Sequence, residues 1–161
     1  MRKFIFALIL LLMMSTPLHA AQGQSDISLA FDKLAKAEKS LKTFRKKIEK
    51  IAGSDAKPER VHAMQDMSNM CNTSIMQIHS INSLFSVVNL VNKKKKFNEK
   101  EKEVLVQKCK YAIKDIKRRK MFVNDILTQS KDDNLKDYAY ILSAQLNIVM
   151  KQLNIINNKF H

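Results

Sequence analysis

The chain reads as all-α: an up-down-up-down four-helix bundle of long helices, following an N-terminal signal peptide. Two observations carry the bundle. Of 161 residues only two are glycine and two are proline, too few to punctuate a β-rich fold. Apolar residues also recur at alternating spacings of three and four through four consecutive segments, which is the period of a helix with one buried face. A third observation carries the leader. Arg2 and Lys3 precede an uninterrupted apolar run from Phe4 to Met14, and Leu18-His19-Ala20 makes an acceptable cleavage site. That run is about 11 residues long, well short of the roughly 20 that a membrane span requires. Residues 1–20 are therefore expected to be removed on export to the periplasm or the medium, leaving 21–161 as a single helical domain that does not span a membrane. Ala21 follows the cut, and a bacterial lipid anchor would need cysteine there.

The first helix is expected at about 25–52. Its seam is Ile27, Ala30, Leu34, Ala37, Leu41, Phe44, Ile48 and Ile51, after which Gly53 stands where a left-handed C-cap belongs. Pro58 opens the second helix at a position where its missing N–H costs little, and this helix is expected to run to about residue 92. Met64, Met67, Cys71, Ile75, Ile78, Ile81, Phe85 and Val88 form its seam, interrupted by Ser68 and Asn82.

Asn98 with Glu101 three residues on is a capping-box variant that starts a third helix over about 98–129. Leu105, Cys109, Ala112 and Ile116 form its seam, then Arg119 and Lys120 break it before Val123 and Leu127 resume. An unpaired buried charge is too costly, so these two cations are expected either to pair with Asp66 across the interface or to mark a point where water enters. Ser130 to Asn134 is a polar link, and Leu135, Ala139, Leu142, Leu146, Val149, Leu153, Ile156 and Phe160 complete a fourth helix over about 133–160. Ile141, Ile148 and Ile155 add a second stripe to that helix. Its broad apolar face makes it central to the bundle or a surface for a homodimer or partner.

Charge narrows the function classes. Removing Arg2 and Lys3 from the 29 basic residues leaves 27 against 15 carboxylates, a net charge of +12. For an exported protein such a charge points to an acidic protein or an anionic envelope component, and nucleic acid is disfavoured. The expected contact residues are Lys93, Lys94, Lys95 and Lys96 at the second link, and the outer face of the third helix. There Lys110, Lys114 and Lys117 fall at i, i+4 and i+7, joined by Lys108, Arg118 and Lys120. Lysine predominates over arginine, which suits diffuse attraction more than bidentate recognition.

Catalysis and cofactors find little support. Glu59-x-x-His62 has the spacing used by di-iron bundles, but no second copy exists. Neither haem attachment nor a nucleophile elbow is present, and no enzyme activity or cofactor is expected. One stretch, "HAMQDMSNMC", carries His62, Met64, Met67 and Met70, a soft-ligand set suited to Cu(I) and the alternative functional reading. On a helix those sulfurs spread through about 120°, so core packing is the simpler account.

Cys71 and Cys109 are the only two cysteines, and export favours a disulfide between them. The register opposes it. A straight antiparallel hairpin centred near Lys95 sets Cys71 against residue 119, leaving Cys109 about 15 Å away along the axis. A disulfide needs Cα atoms within about 7 Å. Either the second helix kinks before Val91 or the bridge does not form.

Overall fold

A computed structural model describes the backbone of residues 2–55, 57–91 and 97–161 and, of the side chains, those of 26–55, 57–88 and 97–161. Four helices follow in order: α1 (Arg2–Ala52), α2 (Pro58–Val91), α3 (Glu99–Gln129) and α4 (Asp133–Phe160). Among the described residues there is no strand, and no helix is long and apolar enough to cross a membrane. α1 begins at Arg2, so it also runs through the segment before residue 25, where the sequence places the leader.

The caps show why the helices start and stop where they do. Asn98 Oδ1 accepts the Glu101 N–H at 2.8 Å while Glu101 Oε2 accepts the Asn98 N–H at 2.8 Å, the reciprocal box that satisfies two orphan donors. Asp132 caps α4 by accepting the Leu135 N–H. Gly53 departs from expectation: its backbone is not left-handed. Its N–H continues the ladder to the Glu49 carbonyl at 3.0 Å, and Ser54 closes the helix with an N–H bond to the Ile51 carbonyl and a hydroxyl bond to the same oxygen.

The seams pack as one core. Leu34, Leu41, Ile48, Met64, Met67, Ile78, Ile81, Leu105, Ile116, Leu142, Leu146 and Leu153 are all removed from solvent. Cross-helix pairs give the topology. Phe31 meets Phe85, Glu38 meets His79 and Arg45 meets Asn72, so α1 and α2 run antiparallel. Gln77 reaches Asp115 and Lys108 reaches Ser80, so α2 and α3 do as well. α3 packs on α4, and α4 closes the ring on α1 through Tyr138 against Phe44 and Lys47. α2 and α4 also touch across one diagonal whereas α1 and α3 do not touch, which gives a rhombic section with α1 and α3 at the far corners.

Each end of the bundle is closed by different chemistry. At one end Phe31 stacks on Phe85, with Phe85 to Phe97 and Phe97 to Phe160 continuing the aromatic chain. At the other, Arg60 donates through Nε to Asp132 Oδ2 at 2.6 Å and through Nη1 to Asp55 Oδ2 at 3.0 Å. One side chain thus ties the α1–α2 link to the cap of α4. Partial burial alone would raise the Asp132 carboxyl. The hydrogen bond from Arg60 and the Leu135 N–H outweigh that and hold it below the usual carboxylate range. Asp55 is held low chiefly by the Lys57 N–H, helped by Arg60 against some desolvation.

Two consequences are measurable. Carboxyls whose pKa is depressed by folding contribute stability above their unfolded value and lose it as pH falls through the folded one. The melting temperature is therefore expected to hold from pH 7 down to the ordinary carboxylate range and then fall. Arg60→Met should lower the neutral-pH value and flatten the acid decline. Gln152, only 4% exposed, leaves its Oε1 without a hydrogen-bond partner. Gln152→Met removes that desolvated acceptor and is expected to stabilise the fold by about 1 kcal/mol in denaturant titration.

Candidate basic binding surface

The α2–α3 seam is the polar one. Arg119, which breaks the α3 stripe, donates to the Met70 carbonyl and the Ser74 hydroxyl through Nη1, and to Gln77 Oε1 through Nη2 at 2.7 Å. Asp115 stands 4.0 Å from the guanidinium and accepts from Gln77 Nε2 at 2.8 Å. Burial pulls the Arg119 pKa down, and Asp115 opposes that pull. The expected pairing with Asp66 is not made: α2 supplies a carbonyl, a hydroxyl and an amide to receive this cation, at the edge of an open depression that Asp66 also lines. Lys120 turns the other way and donates to Asn147 Oδ1 on α4 at 2.6 Å.

This register overturns the expected disulfide. α2 is unbroken from Pro58 to Val91, the hairpin is straight, and Arg119 stands opposite Met70 and Ser74, the residues around Cys71. Cys71 and Cys109 are both free and buried, offset along the axis beyond the reach of an S–S bond. Burial pushes each thiol up to about 12. For Cys71 the nearby Arg45 and Arg119 lower it and Glu49 raises it, without changing that outcome. Thiols held that high stay protonated near neutral pH, the form least suited to attack or to ligate a metal.

The methionine stretch is dispersed. Met64 and Met67 are core residues at 1% and 0% exposure, Met70 is half-buried with its carbonyl engaged by Arg119, and His62 is on the exposed face. The four do not share a face. Among the described residues no group of three or more His, Cys, Asp and Glu side chains is placed to hold a metal ion.

The basic residues divide into free and committed. Lys110, Lys114, Lys117 and Arg118 are exposed on the outer side of α3. Arg118 lies 3.9 Å from Asp115, while Lys108 reaches across to Ser80 Oγ at 2.8 Å and so belongs to the α2–α3 seam. Tyr111 and Met121, both about two-thirds exposed, bracket Lys114 and Arg118 along the same row of the helix. Lys93, Lys94, Lys95 and Lys96 lie outside the described residues.

A larger basic face escaped the sequence reading. On α1, Lys33, Lys36, Lys39, Lys42, Lys46, Lys47 and Lys50 are all exposed. The two carboxylates within that stretch are turned to α2. Glu38 holds Lys42 at 2.6 Å and lies 3.7 Å from His79 Nδ1, and Glu49 accepts the Ser68 hydroxyl at 2.7 Å and sits 3.3 Å from Arg45. The outward side of α1 from Lys33 to Lys50 is thereby dominated by lysine, with the exposed Asp32 at its start. Density of lysine between 33 and 50 was the available signal. Which flank of the helix would meet α2, and so consume the carboxylates, was not in the spacing.

The open depression lined by Asp66, Thr73, Asp115, Arg118, Arg119 and Phe122 holds no pairing of a nucleophile with a base. Among the described residues the two cationic faces lie on the two corner helices, α1 and α3. The thiol assignment has a direct check. Under native conditions Ellman's reagent is expected to find neither cysteine on the timescale of mixing and both after denaturation, and dithiothreitol should leave the melting temperature unchanged. Comparison with protein-family models, with curated proteins and with solved structures finds no match to this chain.

Proposed function

We propose that the protein is an exported, non-enzymatic helical bundle that binds an acidic macromolecular partner, as an inhibitor, immunity protein or accessory factor of the cell envelope. The observation that carries this reading is the asymmetric use of charge on α1. Glu38 and Glu49 are turned to α2, so Lys33, Lys36, Lys39, Lys46, Lys47 and Lys50 face outward with the exposed Asp32 as the carboxylate beside them. The α3 row of Lys110, Lys114 and Lys117 adds a second field on the opposite corner. Exposed lysines at this density raise the local concentration of a polyanion and speed its encounter, while contributing little to the stability of the bundle itself. Export follows from the leader-like residues 1–20, and the basic run at 93–96 would extend the same field at the second link.

The test uses the exported chain, whose N-terminus is expected at Ala21 by sequencing. Its binding to poly-L-glutamate should weaken by about tenfold or more as salt rises from 50 to 500 mM, since screening shortens the reach of exposed charges. Replacing Lys33, Lys36 and Lys39 by glutamine, or Lys110, Lys114 and Lys117, should shallow that salt dependence in each case. Binding that ignores salt, or no binding to any acidic polymer, removes the proposal.

A further inference from the structure

We infer that the groove between α1 and α4 is a docking site for an acidic amphipathic helix of another protein. The inference rests on the acidic-partner reading above and gives that partner a shape. Tyr138 packs against Phe44 and Lys47, so the α4 row 138, 145, 152 faces α1. Ile141, Ile148 and Ile155 form the next row outward, at 37%, 50% and 37% exposure. On α1 the row facing α4 holds Asp26, Lys33, Ser40 and Lys47, and the next row outward holds Leu29, Lys36, Thr43 and Lys50, all exposed. The groove thus presents an isoleucine every second turn over about 21 Å, with Lys33 and Lys36 beside its middle and Lys47 and Lys50 continuing the cationic wall past its Ile141 end. That is the complement of a helix with one apolar stripe and carboxylates along one edge.

Two other occupants fit less well. A second copy of this chain meets like charge. An antiparallel contact over the isoleucines sets α1 lysines against α1 lysines, and a parallel one offers them a far flank of α4 holding Asp137, Ala144, Lys151 and Asn158, with a single carboxylate. A bilayer needs apolar groups that protrude, usually with aromatic bulk. Here the isoleucines are half-buried beside longer lysines, so a flat anionic surface would meet the cations and leave the stripe uncovered. A narrow helix can enter between them.

Four probes separate these cases by fluorescence titration: a synthetic four-turn peptide with a leucine stripe edged by glutamates, its composition-matched scramble, poly-L-glutamate, and phosphatidylglycerol vesicles. The patterned peptide is expected to bind at least about tenfold tighter than the scramble. Ile148→Asn with Ile155→Asn should abolish that preference, since two half-exposed isoleucines carry roughly that factor. Both positions are exposed enough for the variant to keep its helix content, which circular dichroism checks. Lys36→Gln with Lys50→Gln should weaken the peptide, and the α3 glutamine variant should leave the preference intact. Equal binding of peptide, scramble and poly-L-glutamate overturns the groove while leaving the acidic-partner reading standing. Binding to vesicles and to neither peptide overturns it in favour of a membrane surface, and binding to none of the four removes both.

Discussion

Each helix carries one apolar stripe that it cannot bury alone, and this constraint orders everything else in the molecule. Stripes of alternating three and four residues fit only against other stripes of the same kind. Four of them close a ring in which Leu34, Met67, Ile116 and Leu146 all reach zero exposure. Closing the ring with α2 and α4 in contact pushes α1 and α3 to the far corners. Those two helices then show solvent the widest arc, and they are the helices richest in unpaired lysine. Charge distribution is in this sense a result of packing: the residues that could not enter the core set the sign of the corners.

Register is the second level, and α2 with α3 shows how polar groups set it. Hydrophobic stripes permit sliding by a heptad at modest cost, whereas Arg119 admits one position, where Met70, Ser74 and Gln77 together receive its donors. Ser74 is fully buried and also bonds back to the Met70 carbonyl, so removing Arg119 would leave Gln77 Oε1 without the donor it meets here. The same alignment keeps the two thiols apart. No disulfide joins the two cysteines; a guanidinium layer holds the α2–α3 hairpin in the middle, and Arg60 and four phenylalanines close the ends.

What could be read from the chain and what could not divide along a physical line. The seams were legible because burial imposes period, and nearly every residue assigned to them is buried; Ile126 takes the place of Leu127 on the buried row of α3, past Arg119. The capping box at Asn98, the Pro58 start and the polar link before α4 were legible because each is local. Gly53 was misread because glycine at a helix end permits a left-handed turn without requiring one, and Ser54 supplied another closure. Relations between flanks were not legible. Lys108 and Lys110 are two residues apart, yet one is spent on Ser80 and the other is free, and only the arrangement of neighbours decides which. The α1 face was not legible for the same reason: only the neighbouring helix decides that Glu38 and Glu49 turn to α2 and leave the lysines outward.

The rhombic section has one more consequence. Cationic ridges on opposite edges of the bundle cannot both be covered by one small ligand, so the proposed function would make the molecule bivalent. Toward a long polyanion or an array of acidic chains, the second engagement would be intramolecular, and avidity would outrun the strength of either ridge. Under that proposal a single copy of the chain would cross-link acidic partners without pairing with a second copy.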